Sequence, residues 1–157
     1  MSGIVGGEGS KSGIIGTTEL DYEEGSYTYT LLFSSSGSIT PRTGYTLLKY
    51  IKIGRVCNIF GKIETDAESS PSGQMRLSLP FTAGANDNSV GTSNASGMTT
   101  HFRNAGATFE DSFLAVGANA VYASFWRMDH DGTKQTVADG NIDATFELYF
   151  NMSYHTI

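Results

Sequence analysis

The sequence predicts an all-β protein in which antiparallel strands build a two-layered body, preceded by an extended N-terminal arm. Three observations support this fold class. Residues 50–64 carry β-branched and aromatic side chains on both sides of a glycine. Residues 141–155 alternate apolar and polar side chains for at least thirteen positions, the period of a strand with one buried face. The first of these segments also lacks the three-and-four spacing of apolar residues that an amphipathic helix requires.

Residues 50–64 are predicted to form a β-hairpin at the centre of a sheet. The turn falls at residues 53–55, because Gly54 accepts the positive φ that a tight hairpin turn requires. After the turn, successive side chains point to opposite faces. One face receives Cys57, Ile59, Gly61 and Ile63, and the other receives Val56, Asn58, Phe60 and Lys62.

The rest of the chain is predicted from the same alternation and from its turn residues. Further strands are expected at residues 26–33, 45–53, 74–81, 98–103, 108–116, 118–128 and 141–155. Polar and glycine-rich composition predicts turns or loops at residues 21–25, 34–38, 65–73, 83–97 and 129–132. Trp126, the only tryptophan, is expected to cover an edge of the core or of an interface.

Residues 1–18 are predicted to form an arm that is separate from the β domain at residues 19–157. Six glycines in this segment are incompatible with a stable helix. Two interpretations fit: a disordered terminus, or an arm that becomes ordered along a neighbouring subunit. Isolated apolar pairs favour the second interpretation, and they would supply the grip of the arm on its partner: Ile4, Val5, Ile14 and Ile15.

Charge and composition exclude several classes of protein. Lys and Arg number 10 against 16 Asp and Glu, and a net charge of −6 disfavours binding to nucleic acid. Cys57 is the single cysteine, so an intrachain disulfide is excluded and a buried thiol is expected. No apolar run approaches the roughly 18 residues of a membrane span. The first residues lack the basic region and apolar core of a signal peptide, so neither a membrane location nor export by that route is expected.

Candidate motifs for cofactors and metals are weak in this sequence. Residues 7–12 resemble a phosphate-binding loop, but that loop requires Gly, Lys and Ser or Thr in immediate succession. His130 lies between Asp129 and Asp131, yet alternate residues on a tight turn rarely converge on one metal ion. We therefore expect no cofactor and no metal.

Two pairs of carboxylates in the sequence are candidates for catalytic groups. Adjacent Glu23 and Glu24 diverge on a turn or strand, so they do not reach one substrate atom. Asp143 and Glu147 share a predicted strand face, but they stand about 13 Å apart at 3.3 Å per residue, too far for a usual glycosidase pair. No nucleophile elbow and no Cys–His arrangement is present. The sequence thus predicts a protein that is not an enzyme, with a hydrolase of surface polysaccharide as a disfavoured alternative.

Four short segments in the first half of the chain resemble a family of phage virion β-domain proteins, especially those of cyanophages. They are SKSGIIG at residues 10–16, LDYEEGSYT at 20–28, GY at 44–45 with KYIKIGRV at 49–56, and GQMRLSLPF at 73–81. The resemblance implies a jelly-roll-like antiparallel β-sandwich, commonly trimeric, displayed on tail fibre tips or as a capsid decoration protein. It carries no catalytic motif.

The resemblance and the short arm together lead to a functional expectation. We expect a homotrimeric capsid decoration, or cement, protein that stabilises the shell of the virion through its arm and one face of the trimer. Its partners would be its own copies and the major capsid protein or a tail component.

An alternative is the receptor-binding head of a tail fibre, which would recognise glycan on the host surface through exposed loops. The candidate recognition residues are Ser36, Asn86, Asn88, Asn94, Asp129 and His130.

Overall fold

A computed structural model describes residues 21–85, 95–103, 111–129, 131–138 and 142–157. Within these residues the chain forms eleven β-strands and no helix. The strands are β1 (Tyr22–Thr28), β2 (Leu31–Phe33), β3 (Ser36–Pro41), β4 (Leu47–Ile53), β5 (Val56–Ser72), β6 (Met75–Ser78), β7 (Ala95–Arg103), β8 (Asp111–Val116), β9 (Tyr122–Met128), β10 (Lys134–Thr136) and β11 (Glu147–His155).

Strand β5 organises the pairing of the other strands, all of which is antiparallel. Its first part pairs with β4 on one edge and with β11 on the other, and its second part pairs with β3. The hydrogen-bonded path runs from β5 through β11, β7, β8, β9, β6, β2 and β3, and then returns to β5. Strand β1 extends the sheet beyond β4, and β10 pairs with β9. The predicted all-β, antiparallel sandwich is confirmed.

The predicted hairpin at residues 50–64 is also confirmed. Ile53 pairs with Val56, so Gly54 and Arg55 form a two-residue turn, and Gly54 has a φ of +56°. The amide of Gly54 donates a hydrogen bond to the carbonyl of Asp21 at 2.6 Å, which ties the turn to the start of β1. Of the two faces predicted for the second strand, the one that carries Cys57, Ile59 and Ile63 is buried, since these side chains have no exposure to solvent.

The core lies inside the closed path of strands. In β11 every second residue is buried, namely Leu148, Phe150, Met152 and Tyr154. The hydroxyl of Tyr154 accepts from the amide of Phe81 at 3.2 Å and donates to its carbonyl at 2.9 Å, so this buried polar group is satisfied. Cys57 is a buried free thiol as predicted, and burial raises its pKa.

Two segments predicted as loops belong to strands. Residues 65–73 continue β5 as far as Ser72, and Ser36, predicted as part of an exposed loop, begins β3. These two segments pair with each other, as shown by Ser36 with Ser72 and Ile39 with Glu68. Both are polar and largely exposed, so their composition resembles that of a loop, although main-chain hydrogen bonds make them strands.

Other boundaries also differ from the predictions. The strand expected at residues 26–33 is divided into β1 and β2, β7 begins at Ala95 inside the loop expected at 83–97, and β9 begins at Tyr122, later than the expected residue 118. Residues 21–25 were expected to form an acidic turn, but β1 begins at Tyr22 because its backbone pairs with β4.

The long strand predicted at residues 141–155 is limited to β11. The hydroxyl of Thr65 donates to the carbonyl of Ala144 at 2.7 Å and accepts from the amide of Phe146 at 2.9 Å. The amide of Thr65 also donates to the carbonyl of Phe146 at 3.2 Å, so main-chain bonding extends to this residue, and the Thr65 hydroxyl then takes over as the partner of the backbone that precedes β11.

Gly37 provides a test of the pairing between β3 and β5. It has a φ of +80°, and a Cβ at this position would lie 2.3 Å from the carbonyl oxygen of Ser69. We expect Gly37→Ala to lower the free energy of unfolding by about 3 kcal/mol, because backbone strain and a clash with the main chain act together.

Urea denaturation of the purified chain measures this effect. Gly117→Ala is the matched control, since its added Cβ meets open space, and a change below about 0.5 kcal/mol is expected. Equal stability of the two variants would show that the β3–β5 pairing does not constrain Gly37 as described.

Candidate functional site

A charged cluster occupies the outer face of β5 and β11, where Lys62 and Glu64 of β5 lie opposite Tyr149 and Glu147 of β11. Lys62 Nζ lies 2.5 Å from Glu64 Oε2 and 3.2 Å from Glu147 Oε2. Arg42, which follows β3, donates from Nη1 to Glu64 Oε1. We refer to Arg42, Lys62, Glu64 and Glu147 as the charged cluster.

Glu64 is the most buried member of the charged cluster, with a side chain that is 9% exposed. Hydrogen bonds from Lys62 and then from Arg42 hold the pKa of Glu64 below its usual value, although burial acts in the opposite direction. The same contact with Glu64 raises the pKa of Lys62. Both groups are therefore charged at neutral pH, and the buried carboxylate is neutralised by two cations.

Aromatic rings complete the surroundings of Lys62. Its Nζ lies 4.7 Å from the ring centre of Tyr45 and 5.6 Å from that of Tyr149, both within the range of cation–π attraction. A glycosidase needs one carboxyl group whose pKa is raised so that it remains protonated. Glu64 has the opposite shift. The arrangement therefore fits a structural ion network.

A second feature of this layer is an exposed apolar surface. Tyr22, Ile53 and Val56 lie in one cross-strand row on the outer face of β1, β4 and β5. Leu47 of β4 and Tyr149 of β11 lie on the same face, and all five side chains are between 42% and 55% exposed. We call Tyr22, Leu47, Ile53, Val56 and Tyr149 the apolar face. A sheet face with this many exposed apolar groups is typical of a protein interface.

Few of the residues selected from the sequence take part in these features. Ser36 is an exposed residue of β3. Asp129 begins the turn between β9 and β10, where it forms an ion pair with Arg127 at 2.5 Å. The structure does not bring these two residues together in a site. The other candidate residues selected from the sequence lie outside the described residues. They are Ile4, Val5, Ile14, Ile15, Asn86, Asn88, Asn94 and His130.

Sequence reasoning missed the charged cluster. One signal was available, because Lys62 and Glu64 are two positions apart and therefore share a strand face. Assigning a loop from residue 65 onward hid the fact that Glu64 lies inside a long strand. Arg42 and Glu147 are distant in sequence, and only the pairing of β5 with its neighbours brings them to this place.

Comparisons with known proteins give a structural likeness. No family model matches the chain, and no curated protein matches it. A solved structure, the Dettilon tailspike protein, superposes with a TM-score of 0.66 at 18% sequence identity. The match covers 85% of this chain and 24% of the tailspike chain. It shows a shared fold.

The Dettilon tailspike match concerns about a quarter of that protein's length, so it describes one fold unit within a larger chain. Two further properties of the described residues concern membranes and metals. No helix among them is long and apolar enough to cross a bilayer. No group of three or more His, Cys, Asp or Glu side chains among them is arranged to hold a metal ion.

The charged cluster predicts a specific pH dependence of stability. Glu64→Gln removes the charge that Lys62 and Arg42 neutralise, so we expect the variant to be less stable than the parent at neutral pH. The pKa of Glu64 in the folded protein lies below its usual value of 4.5. Its contribution is therefore complete above that value and disappears as the pH falls through the folded-state pKa.

Urea unfolding at a series of pH values from about 7 to about 3 tests this prediction. The stability difference between parent and variant should shrink toward zero at the acidic end. Glu68→Gln, on an exposed part of the same strand, is the control and should show a smaller difference at neutral pH. A difference for Glu64→Gln that stays constant with pH would contradict the proposed ion network.

Proposed function

We propose that this chain is a non-enzymatic structural protein on the surface of a phage virion. The observation that carries the proposal is the fold shared with the Dettilon tailspike protein over 85% of the chain. The phage-like sequence segments at residues 10–16, 20–28, 44–56 and 73–81 support the same context independently. Because a fold alone does not define a function, the proposal also depends on the surfaces that the fold presents.

We place the protein on the tail in preference to the capsid. The name of the structural neighbour is that of a tail component, which favours a tail module. The second candidate is the capsid decoration protein expected from the sequence, in which Ile4, Val5, Ile14 and Ile15 would grip the shell. The glycine-rich composition of residues 1–18, interrupted by these apolar pairs, is the observation that favours it.

We further propose that the protein assembles as a homotrimer through the apolar face. Burial of five large side chains that are about half exposed in the single chain would remove apolar area from water and thus stabilise association. The charged cluster borders this face through Tyr149, whose ring lies near Lys62. Glu24, Lys49 and Asn58 lie on the same face between the two groups of apolar residues, so the interface would combine apolar and polar contacts, as protein interfaces commonly do.

The absence of enzymatic activity is part of the proposal. The two carboxylates that face each other across β5 and β11 are Glu64 and Glu147, and Lys62 contacts both. Asp143, considered from the sequence as a catalytic partner of Glu147, is exposed and lies outside β11. Neither arrangement provides the acid and nucleophile pair of a glycosidase.

Immunogold electron microscopy of purified phage particles tests the location. We expect gold-labelled antibody against this chain to decorate the tail, with unrelated antibody of the same class as the control. Label on the shell instead would overturn the tail assignment in favour of capsid decoration. Particles that encode the chain but carry no label would overturn the proposed function itself.

Light scattering of the purified chain tests the trimer. The double variant Ile53→Asp and Val56→Asp introduces two charges into the apolar face, and we expect a threefold drop in mass with an unchanged circular dichroism spectrum. Leu32→Asp is the matched control, because Leu32 is similarly exposed on β2 and lies outside the apolar face. A trimer that survives the double variant, or a monomeric parent, would refute this interface.

A further inference from the structure

A groove lies on the outer face of β8 and β9, on a part of the body that the apolar face does not include. Its floor is made by Ala115 and Ser124, which pair across the two strands. The segment at residues 117–122 forms one wall, and the side chains of Trp126 and Lys134 form another. The groove is open to solvent and has a volume of about 460 Å³, which is within the range of ligand sites. We call this the β8–β9 groove.

Main-chain hydrogen bonds fix the wall at residues 117–122. The amide of Asn119 donates to the carbonyl of Gly84 at 3.1 Å, and the amide of Ala83 donates to the carbonyl of Ala120 at 2.9 Å. The amide of Leu79 donates to the carbonyl of Val121 at 3.0 Å. A ligand in the groove would therefore meet a preformed wall, and little ordering entropy would oppose binding.

Two cations are held beside the groove by aromatic rings. Lys134 Nζ lies 3.7 Å from the ring centre of Trp126 and 5.6 Å from that of Phe113. Arg76 of β6 lies on the same face as Ser124, with Cζ 4.2 Å from the ring centre of Tyr122. A cation–π contact positions a cation without cancelling its charge.

The charges of these cations are not neutralised by the described neighbours. Among the side chains that the structure describes, no carboxylate lies within ion-pair distance of Lys134 or Arg76. The Nε of Arg76 is buried without a hydrogen-bond partner in the same part of the chain. In a protein with a net charge of −6, this is a local positive site bordered by aromatic rings.

We propose that the β8–β9 groove binds a sugar chain that carries carboxylate groups. Lys134 and Arg76 would bind the carboxylates by charge-assisted hydrogen bonds. The parts of the Trp126 and Tyr122 rings that Lys134 and Arg76 leave uncovered would contact the C–H groups of the sugars, while the hydroxyl of Ser124 is available for a sugar hydroxyl. The inference rests on the proposed function, because a protein on the surface of a virion meets the acidic polysaccharides of a host surface.

Other ligand classes fit the groove less well. A nucleic acid requires a series of cations along its phosphates, whereas the described side chains place two beside the groove, in an acidic chain. A purely apolar peptide would leave Lys134 and Arg76 desolvated without a partner, which is unfavourable. Carboxylated sugars satisfy both the charges and the aromatic surface.

Trp126 allows the proposal to be tested directly, because it is the only tryptophan and it lines the groove. Tryptophan fluorescence of the purified full chain is titrated with oligogalacturonate and with oligosialic acid. Methyl-esterified oligogalacturonate of the same length is the control, since it keeps the sugar rings and loses the charges. We expect saturable fluorescence changes with at least one acidic oligomer, and affinity at least about tenfold weaker for the ester.

A pair of variants locates the binding. Lys134→Gln should weaken binding of the acidic oligomer about tenfold, because one charge-assisted contact is lost. Lys49→Gln removes an exposed lysine on the outer face of β4 and should leave the affinity unchanged. An oligothymidylate of similar charge serves as the competitor and should bind more weakly than the acidic sugar.

Several results would overturn the inference. The first is the absence of a saturable fluorescence response to either acidic oligomer, and the second is an affinity for the methyl ester equal to that for the acidic oligomer. The third is an equal loss of affinity in Lys134→Gln and Lys49→Gln. The fourth is tighter binding of oligothymidylate than of the acidic sugar. None of them affects the immunogold experiment, which tests the place of the protein on the virion. Failure of this inference is therefore distinguishable from failure of the proposed function.

Discussion

Pairing of one strand with three others is the constraint on which the structure depends. Strand β5 has 17 residues, more than a single pairing partner uses, and its main-chain groups bond to β4, β11 and β3. This closes the path of strands around the core. Closure removes most of the exposed edges that would otherwise promote aggregation, and in the described residues β1 and β10 remain at the ends. Most of the buried side chains of the core lie on the strands of this closed path.

The charged cluster marks the point at which β5 changes partners. Up to Glu64 the strand pairs with β11, and from Thr65 onward it pairs with β3. Arg42 follows β3 and reaches Glu64, while the hydroxyl of Thr65 bonds to the backbone at residues 144 and 146. These side chains therefore connect β3, β5 and the backbone that precedes β11 at the point where β5 changes its pairing partner. A buried carboxylate is tolerated there because two cations neutralise it.

Local patterns in the sequence were sufficient for the strands that face the core. The alternation of Leu148, Phe150 and Met152 and the turn at Gly54 depend on nearest neighbours, so they could be read without the structure. The pairing of polar β3 with the second part of β5 could not be predicted from the sequence. Its stability comes from main-chain hydrogen bonds between segments with loop-like composition. The charged cluster could not be predicted for a related reason. Arg42 approaches Glu64 only through the β3–β5 pairing, and Glu147 lies opposite Glu64 only through the β5–β11 pairing.

The outer faces must carry the function, because the core occupies the inner faces of the strands. The apolar face lies on β1, β4, β5 and β11, whereas the β8–β9 groove lies elsewhere on the closed path. A trimer formed through the apolar face would therefore leave three grooves accessible. A repeating sugar chain, or a surface dense in such chains, would engage several of them at once, and the effective concentration at the second and third groove would be high. A shallow open groove with weak affinity for one sugar segment is then sufficient for firm attachment, because multivalency supplies the strength that a single groove lacks.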